Sequence, residues 1–173
     1  MTTTATFDPS TLLTEFRTKF EASTDPVLWA TLVTEETKEL IDAMQDFTQP
    51  TITSFYGNVL KEAADLIYVM TGWADVAEEA FQAAKSPEEA AGIEESLPEN
   101  VFLAATKALD TVGAIVGAEA LQEAIEIVHA SNLTKLGDDG KPVRREDGKI
   151  MKGPNYAAPD MAPLASKVLK AMR

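Results

Sequence analysis

The sequence predicts an all-α fold, on three observations. Ala, Glu, Leu, Lys and Gln dominate, and apolar residues recur at three- and four-residue spacing. No stretch alternates apolar and polar residues over strand length with turn signals at both ends. Asp-Pro and Ser-Pro pairs stand where periodic segments begin, the arrangement of a capping side chain followed by a proline in the first helical turn.

Asp8-Pro9-Ser10 opens a first predicted helix carrying Leu12, Leu13, Phe16 and Phe20. Asp25-Pro26 opens a second that runs to about Phe47 through Trp29, Leu32, Val33, Leu40 and Met44. Gln49-Pro50-Thr51 ends it, and a third runs from about Ile52 to Ala84. Ser86-Pro87-Glu88-Glu89 and Leu97-Pro98-Glu99-Asn100 are helix starts or turns in an acidic, exposed stretch. Residues 99–115 form an apolar-rich helix, broken or bent at Gly117 before 118–133. From Leu136 the chain turns to Gly, Asp, Lys and Pro, the chemistry of turns, and 162–173 forms a short closing helix.

One domain accommodates the 173 residues. With no cysteine, disulfides, thiolate chemistry and Cys-type zinc sites are excluded, which suits a reducing cytoplasm. Met1–Asp8 has neither the basic start nor the apolar run of an export signal, and no stretch approaches the roughly 20 apolar residues of a membrane span. The expectation is a soluble, cytoplasmic protein. Net charge is −13, but residues 1–134 carry 6 Lys/Arg against 23 Asp/Glu, whereas 135–173 carry 9 against 5. An acidic body repels nucleic acid and anionic membranes, while a basic tail beside it suits a compact phosphate ligand.

Two acidic repeats lie inside apolar helical stripes. Glu35-Glu36-Thr37-Lys38-Glu39 sits between Leu32-Val33 and Leu40-Ile41; Glu62-Ala63-Ala64-Asp65 sits between Val59-Leu60 and Leu66-Ile67. Helical spacing stacks Glu36 and Glu39 with Leu32 and Leu40, and Glu62 and Asp65 with Val59, Leu66 and Val69. One such motif in an acidic chain reads as a solvated face. Two of them 26 residues apart fit a helical hairpin that turns at Pro50 and directs four carboxylates at one or two hard cations, Mg²⁺ above all. Glu126-Ile127-Val128-His129 has the Glu-x-x-His spacing of di-iron bundles, but these need two copies and the chain has one histidine, so His129 reads as a packing residue.

The tail gathers Lys135, Lys141, Arg144, Arg145, Lys149 and Lys152 among glycines, either as an ordinary charged loop or as a grip on an anion. It lacks the ligand spacing of a calcium loop and, with only Tyr156, the aromatic platform of a nucleic-acid binder. No phosphate-binding glycine loop or nucleophile elbow is present. Trp29, Tyr68 and Trp73 belong either to the core or against a base.

Glu35-Glu36-Thr37-Lys38-Glu39, Glu62-Ala63-Ala64-Asp65, and the run His129-Ala-Ser-Asn132-Leu-Thr-Lys135 with Gly140-Lys141-Pro142, Glu146-Asp147-Gly148-Lys149 and Lys152-Gly-Pro-Asn-Tyr156 resemble the MazG-like all-α nucleoside triphosphate pyrophosphohydrolases, of phage and bacterial single-domain type. Dimeric dUTPases and phosphoribosyl-ATP pyrophosphohydrolases belong to the same group. The likeness covers residues 28–73 and 117–160; 75–116 departs from it, as a helical insertion altering oligomer packing or the pocket wall. The resemblance implies a single-domain helical bundle, a homodimer or tetramer, with 136–160 closing on substrate in a bacterial or phage-infected cell. It implies hydrolysis of a nucleoside triphosphate to a monophosphate and pyrophosphate, with a purine dNTP such as dGTP the favoured substrate. Glu36, Glu39, Glu62 and Asp65 would hold Mg²⁺ or Mn²⁺, and Glu35 would activate water. Asn132, Lys135, Lys141, Arg144, Arg145, Lys149, Lys152 and Tyr156 would bind substrate. The alternatives are a dUTPase-like or phosphoribosyl-ATP-type substrate, or a non-catalytic acidic adaptor for a basic partner.

Overall fold

Two antiparallel helices joined by six residues form the spine of the molecule, and in the computed structural model, which describes residues 7–173, they make its most extensive helix pairing. The shorter, α2 (Pro26–Gln45), starts where the sequence predicts. The Asp25 side chain accepts a hydrogen bond from the Val27 amide at 2.9 Å, and Pro26 occupies the first turn, where no amide is needed. The longer, α3 (Ile52–Ala83), is capped reciprocally: Thr51 Oγ1 accepts from the Ser54 amide at 3.0 Å, and the Thr51 amide donates to Ser54 Oγ at 3.1 Å. At 32 residues α3 is about 48 Å long, so it meets nearly every other element.

Before the spine, α1 (Pro9–Phe20) lays Leu13, Phe16 and Phe20 into the core and ends at Glu21, the one non-glycine residue with positive φ among the described residues. Arg17 ties it to α3 through a two-pronged bond to Glu79, at 2.9 and 2.6 Å. After the spine come α4 (Pro87–Glu94), α5 (Glu99–Val116), α6 (Ala118–Asn132) and α7 (Ala162–Ala171), the last packed on α3 and α6. Gly117, at φ +86°, separates α5 from α6 with a 112° bend, a backbone state that disfavours any side chain. The shared core includes Leu13, Phe20, Val33, Leu40, Leu60, Leu66, Val76, Val128 and Leu164.

The described chain is therefore all-α, with seven helices; its only β features are two isolated antiparallel bridges, Leu136 with Pro142 and Arg144 with Ile150. The acidic 86–98 stretch is largely exposed as expected, with Leu97 buried, but it includes a two-turn helix, α4, that buries no side chain of its own. The segment 75–116 packs α5 against α2 and α3 through Ala105, Ala108 and Val112 while leaving Phe102, Leu103 and Ile115 exposed. Among the described residues, no single helix is long and apolar enough to cross a membrane. The threonine-rich start, residues 1–6, on which the reading of an absent export signal rests, lies outside the described residues.

Candidate metal and anion site

The third and fourth turns of α2 face the third and fourth turns of α3, and that crossing brings the two acidic repeats together. One oxygen from each of Glu36, Glu62 and Asp65 lies within 4.8 Å of the others. That separation is a little more than twice the ~2.1 Å bond of a hard divalent cation to oxygen. The donor set is all carboxylate, the chemistry Mg²⁺ and Mn²⁺ select. Glu39, one turn beyond Glu36, is exposed and stands outside the trio, although it lines the same recess. The sequence reading counted four equal ligands. Helical twist instead puts Glu36 at the seam of the hairpin and Glu39 toward its edge.

Packing these charges has a cost visible in their acidity. Burial, with Asp65 and Glu39 nearby, pushes Glu36 up to about 7. Burial also raises Glu62, although Lys61 opposes the effect. Lys61, which sequence reading passed over, donates to Glu62 Oε2 at 2.7 Å and approaches Asp65 Oδ2 at 2.8 Å. Its signal was present: Lys61 and Asp65 are an i, i+4 pair on one helix face.

A pH dependence follows. A raised folded-state pKa means that Glu36 contributes fully to stability below the ordinary 4.5, and that contribution is lost as pH rises through about 7. Over that window the metal-free protein should lose about 3 kcal/mol. Glu35, Glu79 and Asp147 are shifted down and work below this range. Urea denaturation in EDTA at pH 5 and pH 8 checks this; equal or greater stability at pH 8 contradicts it.

The tail supplies the cations. Gly140 and Gly148, both at positive φ, turn the chain twice. Bonds from Ser131 Oγ to the Ala157 carbonyl (2.6 Å) and from the Ala157 amide to Thr134 Oγ1 (2.8 Å) then fasten its far end to α6. Lys149 Nζ reaches Glu35 Oε2 at 2.5 Å and Glu36 at 3.8 Å, and Arg145 holds Glu35 Oε1 at 2.8 Å. Burial alone would raise Glu35, but these two cations outweigh it and its pKa is lowered. In this state Glu35 is an anchor for the loop. Lys135 is desolvated beside the trio, which lowers its pKa despite the pull of Asp65 and Glu36.

Two adjoining recesses share Glu36, Asp65, Asn132, Lys135, Lys149 and Ile150. The polar one adds Glu39, Lys61, Lys152 and Tyr156, with Lys152 Nζ 5.0 Å from the Tyr156 ring centre. The apolar one is walled by Phe16, Leu28, Trp29, Leu32, Tyr68 and Val69. Of the residues predicted to bind substrate, Asn132, Lys135, Lys149, Lys152 and Tyr156 therefore share the polar recess with Glu36 and Asp65. Lys141 is exposed on a turn and lines neither recess. Arg144 points elsewhere, donating to the Phe20 and Glu21 carbonyls at 2.7 and 2.9 Å, where it closes the C-terminal end of α1. No residue of 75–116 lines either recess, so the expected insertion forms no part of their walls.

Trp29 and Tyr68 are both buried and both wall the apolar recess, so the two uses left open for them are compatible. Trp73 donates to Ser96 Oγ at 3.0 Å, away from the site. His129 is buried, 3.0 Å from the Tyr68 hydroxyl and 3.2 Å from Glu15, a packing position. No family model, curated protein or solved structure matches the chain.

Proposed function

We propose that the protein is a divalent-metal-dependent nucleoside triphosphate pyrophosphohydrolase. The observation that carries this reading is the adjacency of three chemistries at one place: a carboxylate trio, a set of lysines from the tail, and an aromatic-walled apolar recess that shares Glu36, Asp65 and Lys135 with the polar one. A nucleoside triphosphate is a ligand with matching parts in that order, since its phosphates need cations and its base needs an apolar slot. The MazG-like resemblance in both acidic repeats and in the His129–Lys135 run points to the same reaction.

Glu36, Glu62 and Asp65 would hold Mg²⁺ or Mn²⁺, with Glu39 at the rim. When bound, the cation lowers the pKa of the attacking water and neutralises charge on the phosphate oxygens. Lys135, Lys149, Lys152 and Arg145 bind phosphate oxygens, and Asn132, buried between the recesses, orients the α-phosphate by hydrogen bonding. The water oxygen bonds to the α-phosphorus as the bond to the bridging oxygen breaks, and pyrophosphate leaves. Glu35 takes the water's proton once phosphate has drawn Lys149 and Arg145 away from it. The hydrophobic wall formed by Trp29, Phe16 and Tyr68 keeps bulk water from the base. A purine dNTP is the favoured substrate, and assembly as a homo-oligomer is part of the same reading.

The test is a panel of the common ribo- and deoxynucleoside triphosphates, with Mg²⁺ and with Mn²⁺, assayed for pyrophosphate. The expected result is release from at least one dNTP and none in EDTA. Inactivity throughout, with no rise in melting temperature on adding Mg²⁺ and nucleotide, would favour the adaptor instead.

A further inference from the structure

Among the described residues, Lys61 is the cation closest to the trio, and it sits where an inorganic cation would bring its charge. Its ammonium lies 2.7 Å from Glu62 and 2.8 Å from Asp65, bridging two of the three carboxylates, and it lines the polar recess. The side chains involved are shielded, with 27% of Lys61, 11% of Glu62 and 20% of Asp65 exposed, so the attraction is far less screened than at a surface pair. Without it, two carboxylates one helical turn apart, and Glu36 across the seam, would repel at close range.

We propose that Lys61 is the resident counter-ion of this site, neutralising Glu62 and Asp65 until a divalent cation displaces it, so that metal binds only against the competition of the protein's own ammonium. The proposal rests on the metal-binding part of the function inferred above. It makes Lys61 a positioning residue with two opposite effects: it stabilises the metal-free fold and weakens metal binding. A merely structural lysine would have only the first effect. Competition also couples metal to substrate, since the displaced ammonium borders the polar recess and is free to meet a phosphate.

The experiment is a Mn²⁺ titration without nucleotide, followed by electron paramagnetic resonance, on the full chain and on Lys61→Met and Lys61→Arg. Lys61→Met keeps the unbranched stem, one atom shorter, and removes the charge. It should bind Mn²⁺ about tenfold more tightly than the wild type, while its metal-free melting temperature falls and its Mn²⁺-saturated one does not. Lys61→Arg should stay near the wild type in both. Unchanged or weaker Mn²⁺ binding by a folded Lys61→Met overturns the proposal. Should Lys61→Met not fold, the wild type still decides it: amine labelling at Lys61, read by mass spectrometry, should rise several-fold when Mg²⁺ is added, and constant labelling overturns it. Absence of Mn²⁺ binding by every form defeats the metal reading itself. Normal Mn²⁺ competition in a protein inactive on all nucleotides supports the role of Lys61 and removes only the pyrophosphohydrolase.

Discussion

Replacing Glu36 by Gln is expected to lower metal-dependent pyrophosphate release by about a thousandfold or more while making the metal-free protein more stable. Loss of turnover follows from removing the charge of one of three carboxylates whose oxygens converge within 4.8 Å. A ligand's share of metal-assisted charge stabilisation is several kcal/mol, and each 1.36 kcal/mol is tenfold in rate. The gain in stability comes from the same geometry. Burial and the neighbouring Asp65 and Glu39 raise Glu36 to about 7, so at pH 8 the folded chain holds an ionised carboxylate at a cost the unfolded chain does not bear. An amide of nearly equal shape has no charge to desolvate. About 3 kcal/mol should return at pH 8, and almost nothing at pH 4.5, where the wild-type group is already neutral. Opposite signs for activity and stability are what a strained functional carboxylate produces. Chemical denaturation in EDTA at both pH values, beside steady-state kinetics, reads both effects. A Gln variant that is less stable at pH 8 would mean the carboxylate holds the fold together, and the site reading would go with it.

The second large effect lies outside the charged groups. Gly72 lies within α3, where Ala would ordinarily gain about 1 kcal/mol in helix propensity. Here a methyl group would fall inside contact distance of three carbons of the Trp29 ring, the farthest at 2.7 Å. Real side-chain atoms do not approach so closely, and the ring is confined: Trp29 is 3% exposed and its indole nitrogen donates to the Ser23 carbonyl at 2.8 Å. Gly72→Ala should therefore destabilise the protein by about 3 kcal/mol net of the propensity gain. Because Trp29 walls the apolar recess, nucleotide affinity should fall with it. Combining Gly72→Ala with Trp29→Leu should cost less than the sum of the two single changes, since the smaller side chain makes room. A Gly72→Ala protein as stable as the wild type by near-ultraviolet circular dichroism would show that the indole yields freely, contrary to this packing.

Much of the architecture was legible in the chain itself because its signals are local. Asp8-Pro9, Asp25-Pro26, Thr51 and Ser86-Pro87 start helices through contacts within four residues, and Gly117 interrupts one because its φ is positive. The acidic repeats were readable for a similar reason: helical spacing puts carboxylates on an apolar face, and a six-residue turn makes a hairpin. What the sequence could not supply was rank among like residues. Four carboxylates looked equivalent, yet only the crossing of α2 and α3 separates Glu36, in the seam, from Glu39, at the rim. The resemblance put Lys135 and Lys149 ahead of Lys141, Arg144, Arg145 and Lys152, but only the path of the loop sends Lys149 to the carboxylates and Arg144 to the end of α1.

By itself, then, the sequence determined the helices, their order and the two acidic faces, since caps, periodicity and turns act over a few bonds. Tertiary structure alone decided that Glu36 meets Glu62 and Asp65, that Glu35 is held by Arg145 and Lys149, and that Gly72 exists to admit the Trp29 ring. The physical reason is distance. Which charge meets which, and which ring meets which backbone, depends on contacts between residues up to 124 positions apart, which no local pattern encodes.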